Sequence, residues 1–250
     1  MSLVAIPHAA GGFRFLPAIS AYSAGVAAAS GYEIAALRFL DSPSLAHGFE
    51  RLDREIARRG LPSSALVGLE LRSPGAFDFD GFAKFNDEYR QLLIDRALLI
   101  GDINPVSRTN VIPLYDGPTE PAILTAFIVQ PSEGSGGVDF IVAGAGEVNG
   151  DLGPENIVAR GDVSPEGLRK KTDFVLDEME ARLVALGADT NSPTTINVYT
   201  AHDIEHLTST IASRLPAAER NGFVRWLARP PISEIEFEMD CRKFSSWRII

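Results

Sequence analysis

The sequence predicts an α+β chain made of two tandem small units, each a mixed sheet with two helices on one face, and three observations predict it. The series helix, strand, helix, strand, strand can be read twice along the 250 residues. A further apolar strand precedes each series, at residues 32–40 and 140–145. Each first helix ends on a glycine, Gly60 or Gly187, the residue that takes a left-handed helix end without steric cost. A composition 45% hydrophobic and 22% charged is that of a globular chain long enough for two small cores. The division falls between units 1–128 and 129–250.

In the first unit, Ser42-Pro43 is read as the helix opening, with serine capping free N–H groups and proline where a missing donor costs nothing. Leu45, Phe49, Leu52 and Ile56 share one face, and Arg58-Arg59-Gly60 closes the helix. Residues 65–72 read as a strand, and Ser73-Pro74-Gly75 as a loop. A second helix from about Asp80 carries Phe82, Phe85, Tyr89 and Leu93 on one side. Asn104-Pro105 punctuates the chain before an extended run at 109–114 and a strand at 123–129.

The second unit opens its first helix with Ser164-Pro165-Glu166 and marks the apolar face with Leu168, Val175, Met179, Leu183 and Leu186. A strand at 194–199, a shorter helix near 203–213, a strand at 223–228, a Pro230-Pro231 turn and a last strand at 235–241 follow. Helices on one face leave the other sheet face needing a partner. Such faces favour a homo-oligomer, and three two-domain chains are the simplest closed assembly.

A net charge of −10 argues against nucleic acid, which requires clustered lysine and arginine. The single cysteine, Cys241, cannot form an internal disulfide or a CxxC metal site. Residues 1–8 lack the basic flank and apolar core of a signal peptide, and no stretch has the length of a membrane span, so the expectation is a cytoplasmic protein that does not contact membrane. His202 and His206 have the spacing of a metal pair on a helix, but no third ligand is identifiable nearby, and helix-surface histidines are the better reading. Gly144-Ala145-Gly146-Glu147 lacks the third glycine and the lysine of nucleotide loops, and no Gly-x-Ser-x-Gly elbow occurs. Neither metal nor cofactor is expected.

The segments Asp139-Phe140-Ile141-Val142-Ala143-Gly144, Ile196-Asn197-Val198-Tyr199 and Ile235-Glu236-Phe237-Glu238 resemble the Rid family, the YjgF-type reactive intermediate deaminases also called endoribonuclease L-PSP-like. The first half is similar from about Tyr22, best at Phe85-Asn86-Asp87-Glu88-Tyr89 and Pro105-Val106-Ser107-Arg108-Thr109-Asn110-Val111. The resemblance implies two chorismate-mutase-like domains with ligand clefts between neighbouring domains. It implies that Arg108 holds a substrate carboxylate, that Asn86 orients the substrate beside Asn110 and Gly144, and that Glu236 positions the water that hydrolyses an imine.

The chemistry of those side chains agrees: arginine is a planar fork of donors matched to a carboxylate, and a glutamate can take a proton from water. Neither half keeps both groups. Counting along the strands puts Asn221, or the adjacent Arg220, at the arginine position of the second half, and Ile123 at the glutamate position of the first. The serine usual in the family's Ser-Gly turn is Ala143. One composite cleft, with Arg108 from the first half and either Glu236 or Glu147 from the second, is the preferred reading. Glu236, Glu238 and Asp240 alternate, which puts all three on one strand face. The functional expectation is a cofactor-independent deaminase or hydrolase of a small carboxylated imine, enamine or aminomuconate-like metabolite. The alternative is a non-catalytic small-molecule-binding or assembly protein.

Overall fold

The computed structural model describes residues 3–132, 134 and 137–250; residues 1 and 2 of the N-terminal stretch lie outside that set. Among the described residues the strands form two mixed sheets. Three strands, β1 (Ile6–His8), β2 (Phe13–Leu16) and β3 (Gly25–Ala28), open the chain. β4 (Tyr32–Arg38), β5 (Leu66–Arg72), β6 (Ser107–Pro113) and β7 (Ala122–Pro131) make the first sheet in the order β6-β5-β7-β4. The second sheet is built on β8 (Phe140–Gly146), β9 (Thr195–Tyr199) and β10 (Val224–Trp226). After the two-residue β11 (Ala228–Arg229), β12 (Glu238–Lys243) completes the order β10-β9-β12-β8. In both sheets the pair at the β6 or β10 side is parallel and the other two pairings are antiparallel.

The two ends of the chain cross over. β3 pairs with β8, which carries β1 and β2 onto the second sheet, whereas β11 pairs with β6 and β13 (Ser246–Ile249) pairs with β4 on the first. The single strand read at 223–228 is therefore two. β10 runs parallel to β9, the chain leaves that sheet at Leu227, whose carbonyl accepts from Leu114 N–H, and β11 joins the other sheet. The last strand starts at Glu238, three residues later than the alternation suggests, so Glu236 precedes it.

Helices α1 (Leu45–Arg58) and α2 (Phe79–Ile94) cover the outer face of the first sheet. Phe49, Leu52 and Ile56 from α1 and Phe82, Phe85, Tyr89 and Leu93 from α2 are buried there; at about 1.5–3 kcal/mol per large apolar side chain, these stripes anchor the layer. The cap of α1 is Ser44 rather than Ser42: the Ser44 hydroxyl accepts from His47 N–H, while the Pro43 carbonyl accepts from Ile123 N–H and holds Pro43 at the sheet edge. Helices α3 (Pro165–Ala185), α4 (Leu207–Arg214) and the short α5 (Ala217–Asn221) cover the second sheet. Ser164 caps α3 as the sequence suggests. Gly60 and Gly187 both sit in the left-handed region, at φ 68° and 75°. α4 begins after His206, so His202 and His206 do not share a helix; His202 pairs with Glu236 and His206 with Glu205.

The remaining faces of the two sheets meet each other within the chain. Phe13, Phe15 and Ile141 from one sheet pack with Ile34, Val67 and Phe127 from the other. Beside this apolar half lies a buried polar half. Asp240 accepts from Thr109 across the interface at 2.8 Å, from Asn197 at 2.7 Å and from Tyr199 at 2.9 Å. Arg242 bridges Asp240 and Glu70. Burial opposes the Glu70 charge, but Arg242 and Arg72 outweigh it and hold that carboxyl below its usual range. Arg242 Nε and Arg72 Nη2 have no hydrogen-bond partner among the described residues, and a slip between the layers would leave further buried charges unpaired, which is costly. No helix among the described residues is long and apolar enough to cross a membrane.

Candidate active site

Where the two sheets meet, a cavity of about 240 Å³ opens against β6, β8 and β12, with Tyr22, Phe82, Arg108, Asn110, Gly144 and Glu238 on its walls. Arg108 lies on β6, at 3% exposure. Its guanidinium is caged by four rings, with centroids at 4.6 Å (Tyr22), 4.7 Å (Tyr89), 5.3 Å (Phe85) and 5.6 Å (Phe82). Three of the four come from the α2 stripe and the fourth from the segment between β2 and β3. Ring faces offset part of the cost of burying a cation, although burial still pulls the Arg108 pKa below its ordinary value. Nη2 donates to Asn86 Oδ1 at 2.6 Å. Nη1 has no hydrogen-bond partner among the described residues, and neither has Asn110 Nδ2, because Asn110 is held by its other end, accepting from Ser73 at 3.0 Å. Buried donors without acceptors are costly. Both residues that carry them line one cavity, which suits an anionic, oxygen-rich ligand.

Two acids line the cavity with Arg108, the exposed Asp151 and the buried Glu238 on β12. Burial, then the neighbouring Asp240 charge, push the Glu238 carboxyl up to about 8, with Arg108 acting in the opposite direction. Glu238 therefore holds its proton near neutral pH. Its side chain lies over Gly144: a Cβ at that position would stand 2.1 Å from Glu238 Oε1 and 3.2 Å from Thr109 Cγ2. The Gly144 N–H donates to Thr109 Oγ1 at 3.1 Å, and Thr109 donates to Asp240, so β8, β6 and β12 are tied together directly behind the carboxyl. Gly144 thus serves as the floor on which the acid lies.

The other acids expected at the site are elsewhere. Glu236 is outside the cavity wall, 2.8 Å from His202 Nε2. Glu147, completely buried, accepts the backbone N–H groups of Glu236 (2.7 Å) and Phe237 (3.0 Å) and pairs with the equally buried Lys171 at 3.1 Å. Glu147 holds the approach to β12, a structural task that also aims Glu238. Asn86 does not reach the cavity wall; it grips Arg108 from behind. Arg220 and Asn221 fall on α5 and donate to the carbonyls of Asn191 and Pro193, and Ile123 is packed in the core under α1 and α2. Alternation alone could not tell Glu236 from Glu238, because the strand start depends on the Glu147 clamp, a contact 90 residues distant in sequence. Tyr22 and Arg182, a further cavity residue from α3, carry no local sequence signal. The described residues contain no group of three or more His, Cys, Asp or Glu arranged to hold a metal ion.

A family model described as 2-aminomuconate deaminase CnbZ matches residues 5–248. The chain belongs to that family. A 2-amino-5-chloromuconate deaminase of Comamonas testosteroni is 38% identical over 241 residues, spanning 95% of this chain and 96% of that protein. Among solved structures, a chorismatase superposes with a TM-score of 0.49 at 13% identity, over 95% of this chain and 78% of that one. The YjgF gene product of E. coli superposes with a TM-score of 0.28 at 16% identity, over 42% of this chain and 80% of that one. The family match spans both sheets and includes every wall of the cavity described above.

Proposed function

We propose that this chain is a deaminase that hydrolyses the C–N bond of a small carboxylated enamine of the 2-aminomuconate class. The observation that carries the reading is the meeting, in one cavity, of a caged arginine with a free donor and a carboxyl whose pKa is pushed up to about 8. Family membership over nearly the whole chain supports it.

Arg108 Nη1 binds the carboxylate next to the amino-bearing carbon, with Nη2 tied to Asn86 so that the fork is pre-oriented. Asn110 Nδ2 supplies a further donor. Protonated Glu238 gives its proton to the enamine β-carbon: a C–H bond forms, the nitrogen lone pair closes the C=N bond, and Glu238 becomes a carboxylate. Water then attacks the iminium carbon and Glu238 takes its proton. In the resulting carbinolamine the nitrogen is protonated by Glu238, the C–N bond breaks, and the hydroxyl proton returns to Glu238 as the ketone forms. Enamine plus water becomes ketone plus ammonia, and Glu238 ends as it began. A pKa near neutrality suits a group that must both give and accept a proton. These steps need a proton donor, water and an anion clamp, so the proposed reaction calls for no cofactor.

The chain is further proposed to be a tandem of two like units, 1–128 and 129–250, which the repeated strand order supports, although the boundary falls within β7. We take it to work in a reducing, cytoplasmic compartment as a homo-oligomer of three chains, in which exposed Leu227 and Trp247 would be covered.

The test is ammonia release from 2-aminomuconate by wild type, Glu238→Gln and Glu236→Gln. Loss of about 10²–10⁴-fold in kcat for Glu238→Gln, with Glu236→Gln within about threefold of wild type because Glu236 lies outside the cavity, is the expected outcome. The reverse pattern would move the acid role back to Glu236, and no ammonia from wild type would remove the deaminase reading.

A further inference from the structure

The cavity holds a second arginine that the proposed chemistry does not use. Arg182 stands on α3 and lines the same wall system as Arg108. Its Nη2 donates to Glu178 at 3.0 Å, across one helical turn, with Glu178 itself partly open to solvent. Its Nη1 is 3.5 Å from the Ala143 carbonyl, at the outer limit of a hydrogen bond. Its Nε is buried and has no partner among the described residues. Tyr22, Arg108 and Arg182 all line this one cavity.

Two arginines therefore border the cavity, and the buried acid on its wall, Glu238, keeps its proton near neutral pH, while the other acid, Asp151, is exposed. One carboxylate on Arg108 would leave Arg182 with its partnerless Nε and its long Nη1 contact unimproved, and a buried donor without an acceptor is costly. The two groups also come from different layers, β6 of one sheet and the helix over the other. An extended ligand with an anionic group at each end would satisfy both at once.

We infer that Arg182 is a second carboxylate anchor, the specificity-determining residue that holds the far carboxylate of a diacid bound end to end between Arg108 and Arg182. The inference rests on the deaminase reading and deepens it by naming the residue that holds the remote carboxylate, and its test reads binding as well as turnover. It places the reacting end of the substrate at Arg108 and Glu238 and the remote carboxylate at Arg182. Binding energy from that remote end is what holds the reacting carbon in place.

The probes are cis,cis-muconate, an unreactive diacid, and 2,4-hexadienoate, its monoacid counterpart, titrated calorimetrically into wild type, Arg182→Gln and Arg182→Lys. Circular dichroism and Tm establish that each variant is folded. Wild type is expected to prefer muconate. Arg182→Gln is expected to lower muconate affinity about 10- to 100-fold, the range for a lost charge-assisted hydrogen bond, and to shrink the muconate-to-hexadienoate ratio by the same factor. Arg182→Lys keeps the charge without the fork and should fall between. A ratio unchanged in Arg182→Gln, or no preference for the diacid in wild type, overturns the inference, since a purely structural arginine would weaken both ligands alike. If the ratio collapses while wild type releases no ammonia from 2-aminomuconate, the anchor stands and the deaminase reading fails. If wild type releases ammonia while the ratio stays unmoved, the deaminase reading stands and the anchor is overturned.

Discussion

Replacing Glu238 by glutamine keeps volume and polarity while removing a titratable proton, which makes it a sharp probe of the site. Glu238 is 6% exposed, and its carboxyl is pushed from 4.5 up to about 8 by burial and by Asp240. Below pH 4.5 the folded and unfolded chains both hold the proton, so the group costs folding nothing. As pH rises, the unfolded chain releases it and the folded chain cannot, until the folded carboxyl ionises near 8. The stability present at low pH is therefore lost progressively between about pH 4.5 and 8. At 1.36 kcal/mol per decade, the loss reaches about 3 kcal/mol at pH 7 and at most about 5 kcal/mol above pH 8. Glu238→Gln has no such dependence. Urea unfolding of both proteins at half-unit intervals from pH 4 to 9 should show the variant gaining on wild type by about 2–4 kcal/mol between pH 4.5 and 8, with similar m-values. A difference that stays flat across the range would refute the buried, proton-holding carboxyl and the acid role built on it.

Arg108→Ala should raise KM for 2-aminomuconate by about 10²-fold or more through loss of the carboxylate clamp. Because Arg108 lowers the Glu238 pKa, the same variant should also move the alkaline limb of the pH–rate profile upward, a shift read from kcat against pH. Gly144→Ala places a methyl group 2.1 Å from Glu238 Oε1; the carboxyl must swing away, and kcat should fall at least about tenfold at a cost of about 1–3 kcal/mol in stability, checked by steady-state kinetics and urea unfolding. Lys171→Met leaves the Glu147 carboxyl, already raised by burial, without its cation; a loss of about 3–5 kcal/mol is expected by chemical denaturation, and a change under about 1 kcal/mol would show that the pair does not secure β12.

Much of the layer structure can be read from local pattern. The apolar stripe of α2, the serine cap of α3 and the glycine ends at Gly60 and Gly187 are short-range devices, set by helical spacing, side-chain hydrogen bonding and glycine's access to positive φ. Other elements were decided at long range. The stretch at 223–228 has one pattern but two fates, since β10 and β11 take their backbone partners from different sheets. Ser42 and Ser44 are equally good caps by type, and the bond from Ile123 N–H to the Pro43 carbonyl chooses between them.

The site divides in the same way. The sequence singled out Arg108 through the resemblance of Pro105–Val111 to the Rid family, and the tertiary structure set it against the α2 stripe and Asn86. The same resemblance pointed to an acid in the other half of the chain, Glu236 or Glu147. Which acid meets Arg108 was decided only by tertiary structure. Glu147, anchored by Lys171, takes the N–H groups of residues 236 and 237, so that pairing with β8 and β9 begins at Glu238 and the acid comes to rest on Gly144. A shift of two residues along a strand keeps the face and changes the position by about 7 Å, and side-chain alternation carries no information about that distance.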